Sequence, residues 1–143
     1  MKWIITILLL LLLNVSFSQT MIEMTSPEDA NLILLEVKDS SQADIYVYRT
    51  DRLKEAKEWD CMWKFKKFGF SNFAIYIAKN EKELYVSTEE SLNGLEYKEY
   101  IPAGKVYFVK NKEHRGYRKG FALEGVMKVT AKKKIKVRKN DLE

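Results

Sequence analysis

A short repeated unit, in which an alanine separates a polar, turn-like run from an apolar strand, constrains the fold of this chain more than any other feature. The four alanines are Ala30, Ala43, Ala56 and Ala74, spaced by 13, 13 and 18 residues. An apolar run starts directly after three of them, and several residues later after Ala56. Self-similarity of this kind usually sets the whole architecture. The pattern predicts a compact, mainly β domain built from repeats, with the alanines at structural junctions.

The connectors between the predicted strands are too short for full crossover helices. A parallel crossover through a helix needs about a dozen residues or more, whereas the first two connectors have about eight. We therefore expect turns or single helical turns, with one two-turn helix within residues 50–58. Several predicted strands end with a cation, which keeps the strand end in solvent: Lys38, Arg49, Lys79 and Lys110.

Two of the predicted strands differ in the number of faces that they bury. Residues 31–37 are apolar on both faces, which is typical of a strand covered on two sides. Residues 61–67 alternate, with Trp63 and Phe65 on one face and Lys64 and Lys66 on the other. This alternation predicts a strand with one face in water.

Residues 1–18 have the composition of a secretory signal peptide. Lys2 precedes an apolar run that ends in six leucines, and small residues stand at Ser16 and Ser18. The run is shorter than the roughly 20 apolar residues that span a bilayer, so a cleaved leader is favoured over an anchor helix. We expect cleavage between Ser18 and Gln19, export to the periplasm, outer envelope or medium, and no membrane span afterwards. The chain then divides into a leader (1–18), a repeat β domain (19–125) and a basic tail or edge strand (126–143).

The repeat resembles the septoil knot family, small proteins whose backbone forms a seven-crossing torus knot. The closest match is the sequence SQADIYVY at residues 41–48, where the family repeats a Ser-Gln-Ala-Asp-Leu-x-Val-Tyr unit. Residues 63–65 are similar to the central aromatic strand of the family, residues 74–77 to the next unit, and residues 106–117 to the closing unit. The resemblance implies a knotted β domain. It implies no activity, cofactor or ligand.

The residues that usually carry catalysis are scarce. His114 is the sole histidine and stands in a polar, basic loop, and Cys61, the sole cysteine, is surrounded by large apolar residues. These two residues cannot form a metal site alone, and there is no glycine-rich phosphate loop. Adjacent carboxylates at residues 28–29 and 89–90 are normally solvated. We predict no cofactor and no catalytic set, with a small envelope hydrolase as the weakest alternative.

The tail is the remaining candidate for an interaction. Possible anion contacts are Lys132, Lys133, Lys134, Lys136 and Arg138. Without interleaved aromatic residues the tail is a weak nucleic-acid signal, so anionic lipid, lipopolysaccharide or acidic glycan are the expected partners. A solvated edge strand, blunted by lysine, is the simpler interpretation. The sequence thus predicts an exported, non-enzymatic binding or structural module, with electrostatic binding through the tail as the alternative.

Overall fold

The computed structural model describes residues 19–87, 96–121 and 134–139. Three short 3-10 helices lie at Ser40–Gln42, Glu81–Leu84 and Lys112–His114. The other elements are β1 (Thr20–Glu23), β2 (Leu32–Glu36), β3 (Ile45–Arg49), α1 (Leu53–Glu58), β4 (Met62–Lys66), β5 (Phe73–Ala78), β6 (Tyr85–Ser87), β7 (Glu96–Ile101), β8 (Lys105–Val109), β9 (Gly116–Tyr117) and β10 (Lys134–Lys139). The predicted mainly β fold with short helical turns is confirmed. The predicted leader at residues 1–18 lies outside the described residues, among which no helix is long and apolar enough to cross a membrane.

Six parallel strands form a barrel-like sheet. Their order is β4-β1-β5-β2-β8-β3, and a further pairing of β3 with β4 joins the two ends. The joining contact is short, with Tyr48 opposite Met62 and Arg49 opposite Trp63. At its other end β3 pairs with the short antiparallel strand β9. Because all six strands are parallel, their carboxyl ends lie at one rim of the barrel, which we call the carboxyl rim.

The chain visits alternate positions around this ring. The first three strands along the chain leave gaps between them, and β4, β5 and β8 then fill those gaps. The chain therefore passes round the barrel twice, and neighbours in the ring come from different passes. The threading of these passes into a knot, and the derivation of the fold from one repeat, stay predictions.

The stagger of the strands explains why such short connectors suffice. Glu23 ends β1 and Leu32 begins β2, and both pair with Ile75. In the same way Ala78 ends β5 and Lys105 begins β8, and both pair with Leu35. Each new strand thus starts at the level where the previous one stopped. The connector from β3 to β4 joins neighbouring strands, and each of the other ring connectors crosses one intervening strand. None of them has to return along a full strand, as a standard crossover does.

Apolar side chains fill the barrel. The interior cluster includes Trp63, Leu34, Ile45, Val106 and Cys61, all almost completely buried. Burying side chains of this size contributes about 1.5–3 kcal/mol each relative to exposure, so the interior is the main source of stability. The predicted inner face of β4 is confirmed, because Trp63 belongs to this cluster and Phe65 packs against it. The other face is only partly in water, because Lys64 and Lys66 are half-buried and Met62 is buried.

A second apolar cluster covers the outer face of β2. Ile33 and Leu35 pack there with Tyr100 of β7 and Leu84, whereas the alternate residues of β2 belong to the interior cluster. The prediction that this strand is covered on two sides is therefore confirmed. β7 forms a separate antiparallel sheet with β6 and β10.

The repeat alanines occupy different structural positions. Ala30 and Ala43 are buried two residues before β2 and β3, and Ala56 is buried in α1. Ala74 lies within β5 and is half-buried. Ala103 stands two residues before β8, in the same position as the first two. The almost complete burial of Ala30, Ala43 and Ala56 fits a residue with a small side chain.

Candidate functional site

A polar cavity of about 420 Å³ lies at the carboxyl rim, between the connectors that follow β3 and β8. The two strands are neighbours, with Tyr48 opposite Val109, so both connectors leave the barrel at the same place. Parallel β/α barrels and sheets place their ligand sites at this end of the strands. Arg49, Thr50, Asp51, Glu55, Lys110 and Lys112 are among the residues that line this cavity, which we call the rim cavity.

Thr50 fixes one wall of the rim cavity. It is buried, and its backbone N–H donates to the carbonyl of Trp63 at 3.0 Å, which holds the connector against β4. Its hydroxyl donates to Glu55 Oε2 at 2.5 Å and accepts from the N–H of Arg52 at 3.1 Å. Arg52 in turn lies 3.6 Å from Glu55 Oε1. The start of α1 is thereby tied to the end of β3.

Arg49 is held between two aromatic rings at the mouth of the barrel. Its guanidinium carbon lies 4.5 Å from the centre of the Phe65 ring and 4.1 Å from that of Phe108. The two rings are 6.2 Å apart and meet edge to face. Cation–π contacts of this kind fix the plane of a guanidinium while leaving its N–H donors available for other partners. Among the described residues no carboxylate lies within salt-bridge distance of Arg49.

The charges around the rim cavity are mixed, with four cations and three carboxylates. Arg52 and Glu55 are paired with each other. Lys110 and Lys112, like Arg49, make no ion pair with any residue in the described ranges. The lining thus brings the cations Arg49, Lys110 and Lys112 together with the carboxylates Asp51 and Glu113.

The described lining of the rim cavity includes neither the histidine nor the cysteine of the chain. His114 is exposed in the third 3-10 helix. Of the two carboxylate pairs, Glu28 lies 3.8 Å from the ammonium of Lys98, and residues 89–90 lie outside the described residues. Nor do the described side chains of His, Cys, Asp and Glu gather in a group that could hold a metal ion. The lining is equipped for binding by charge and hydrogen bonds.

Cys61 lies in the interior cluster of the barrel and not in the lining of the rim cavity. Its thiol is buried, and Cys61 is the one non-glycine residue of the described chain with positive φ, at 56°. Burial raises the pKa of the thiol to about 12, and burial beside Cys61 also raises the pKa of the Tyr117 hydroxyl. The Tyr117 hydroxyl donates to Asp60 Oδ1 at 3.1 Å. Both groups are protonated at neutral pH, so the thiol is not a nucleophile there.

The predicted anion contacts of the tail lie only partly within the described residues. Lys132 and Lys133 lie outside them, whereas Lys134, Lys136 and Arg138 belong to β10. β10 is an edge strand, as predicted for the tail, and pairs antiparallel with β7. The register pairs Lys136 with Glu99 and Lys139 with Glu96. The structure assigns these cations to a different sheet from the rim cavity.

The residues that form the rim cavity are visible in the sequence, but the local pattern does not show that they lie together. In the sequence, Arg49 and Lys110 are only two of several cations that end strands. They come together because β3 and β8 are neighbours in the ring, although 61 residues separate them in the chain.

Comparison of the chain with protein families, curated proteins and solved structures found no match.

Proposed function

We propose that the protein is an exported, non-enzymatic binding module that holds a phosphate- or carboxylate-bearing ligand in the rim cavity. The observation that carries the proposal is Arg49, whose guanidinium is stacked on Phe65 and Phe108 and has no carboxylate partner among the described residues. Export rests on the leader at residues 1–18.

The chemistry of arginine supports an anionic ligand. A guanidinium presents a planar fork of donors that matches the two oxygens of a carboxylate or phosphate. Two ring contacts immobilise Arg49 in advance, so little side-chain entropy is lost when an anion binds. Lys110 and Lys112 on the neighbouring connector add positive potential, which raises the local anion concentration.

Titration calorimetry with inorganic phosphate, citrate and glycerol phosphate tests this proposal. We expect one of the three to bind the chain that starts at Gln19. Binding of inorganic phosphate indicates a simple phosphate ligand, binding of citrate a carboxylate ligand, and binding of glycerol phosphate a headgroup-type ligand. Arg49→Gln should abolish binding, and Arg49→Lys should weaken it because the charge remains while the planar fork is lost. Arg118→Gln removes the same charge beside Asp44 and is the matched control. Equal binding by Arg49→Gln and Arg118→Gln, or no binding of any probe, would overturn the proposal.

We further propose that this module is a knotted septoil-type domain. The order in which the chain visits the ring supports this, because a double pass with interleaved strands is the winding that a two-strand torus knot requires. The motif at residues 41–48 supports it from the sequence, since it spans the start of β3.

The basic tail is a second candidate binding surface, for anionic lipid, lipopolysaccharide or acidic glycan. The density of lysine after residue 126 supports it. Since β10 pairs with β7, deleting the tail would remove a strand, and charge substitutions are the better test. Lys132→Gln combined with Lys133→Gln should weaken binding to anionic vesicles in a salt-dependent manner. Unchanged binding would contradict a role for the tail.

A further inference from the structure

Two phenylalanines protrude into solvent on the connector between β4 and β5. Phe68 is 85% exposed and Phe70 is 98% exposed, whereas the other exposed large apolar residues of the described chain are only 42–51% exposed. Gly69 between them has φ of +89°, and a side chain added there would meet nothing within 4 Å. The segment 67–70, which we call the phenylalanine loop, is therefore a narrow turn that carries two unburied aromatic rings.

The phenylalanine loop is basic in sequence, and in the sheet Glu23 of β1 follows Ile22, the partner of Lys66. Residues 62–72 include Lys64, Lys66 and Lys67 and no aspartate or glutamate. The ammonium of Lys66 donates to the backbone carbonyl of Phe70 at 2.8 Å, which holds a positive charge at the base of the loop. Lys67 is exposed and has no ion pair with any described residue.

We propose that the phenylalanine loop inserts into the interfacial region of an anionic lipid membrane. Aromatic rings partition into that region, and lysines at its edge contact the negative headgroups. A fluid interface can surround two protruding rings without a preformed cavity in a partner. This inference does not depend on the rim cavity.

The charges also disfavour the most obvious alternative, a second copy of this chain. In a symmetric dimer through the phenylalanine loop, the same patch of each copy would meet its equivalent. Lys66 and Lys67 of the two copies would then face each other, and like charges at an interface are costly. A negatively charged surface removes that repulsion.

Vesicle sedimentation tests the proposal, using the chain that starts at Gln19 because the apolar leader would itself enter lipid. We expect binding to vesicles of phosphatidylglycerol and phosphatidylcholine, and much weaker binding to phosphatidylcholine alone. Phe68→Ser combined with Phe70→Ser should lower the partition coefficient by about a hundredfold, from the area of two rings. Lys66→Gln with Lys67→Gln should lower it by roughly fivefold for each lysine and reduce its salt dependence. Tyr85→Ser, which changes a partly exposed aromatic residue outside the loop, should leave the partition coefficient unchanged.

Fluorescence identifies the inserted residue directly. The emission of Phe68→Trp should shift to the blue when anionic vesicles are added, and that of Tyr85→Trp should not. Equal partitioning of the double serine variant and the parent chain would overturn the proposal. So would self-association that requires both phenylalanines but is unaffected by vesicles, since the loop would then bind a second copy. Loss of phosphate binding by Arg49→Gln leaves these readouts unchanged, so the two proposals fail separately.

Discussion

Asp44 Oδ2 accepts a hydrogen bond from the backbone N–H of Lys105 at 2.9 Å. Asp44 directly precedes β3, and Lys105 is the first residue of the neighbouring strand β8. Asn31, which directly precedes β2, accepts from the N–H of Ala74 at the start of β5 in the same way. The residue after a junction alanine thus caps an adjacent strand at the amino-terminal end of the barrel. This gives the Ala-Asp step of the repeat a physical role, because an unpaired N–H at a strand start would be costly.

Asp44→Ala should lower the free energy of unfolding by about 2–3 kcal/mol, because a charged acceptor of several hydrogen bonds is lost. Its other partner is Arg118, whose Nη2 lies 2.7 Å from Oδ1. The Arg118 side chain is 58% exposed, so Arg118→Gln should cost no more than about 1 kcal/mol. Urea unfolding monitored by circular dichroism measures both changes. Equal losses would mean that the ion pair, and not the cap on β8, is the stabilising contact.

The indole N–H of Trp63 is buried in the barrel and has no hydrogen-bond partner among the described residues. Trp63→Phe keeps an aromatic ring in the interior and removes this unsatisfied donor, so we expect a loss below about 1 kcal/mol. Trp63→Ala leaves a large cavity and should cost about 3–5 kcal/mol. Thermal unfolding distinguishes the two. A phenylalanine variant as unstable as the alanine variant would show that the full indole is needed for packing.

Alkaline pH should destabilise the barrel through Cys61. Burial raises the pKa of its thiol from 9.0 to about 12 in the folded state. The stabilising contribution is complete below about pH 9 and is lost progressively between about pH 9 and 12, because the unfolded chain releases its proton first. The slope reaches about 1.4 kcal/mol per pH unit. Cys61→Ala should flatten the dependence measured between about pH 8 and 9.5, where a tyrosine with an ordinary pKa of about 10 remains mostly protonated. An unchanged slope would assign the pH dependence to other groups.

The strands were predictable where local pattern and burial agree. The apolar run of β2 reflects its two covered faces, and the aromatic residues of β4 lie on the face toward the interior cluster. β7 was missed because its sequence, EYKEYI, is polar, and its stability comes from pairing with β6 and β10 and from burial of Tyr100. Pairing of this kind depends on distant segments, and the sequence of the strand itself carries no mark of it.

The parallel ring could not be inferred from connector length. The rule of a dozen residues assumes that the chain returns to the start of the previous strand, and the stagger of this barrel removes that return.

The rim cavity follows from the same order of strands. Arg49 and Phe108 stand far apart in sequence, so their contact becomes visible only when β3 and β8 are known to be neighbours. The exposure of Phe70 likewise depends on the turn at Gly69.

Refolding should be slow, because five of the six pairings within the six-stranded ring join residues more than 40 positions apart. Thr20 pairs with Lys64, and Ile45 pairs with Val106. Domains dominated by such contacts fold in milliseconds to seconds, and threading a knotted chain adds a further slow step. We expect a main refolding phase of about a second or longer in stopped-flow fluorescence after complete unfolding in denaturant.

The chain has two prolines, Pro27 and Pro102, and the Pro27→Ala, Pro102→Ala variant separates threading from proline isomerisation, which takes tens of seconds. Refolding of that variant within a few milliseconds would contradict the knot, because a fully unfolded chain cannot thread and pair six non-local strands in that time.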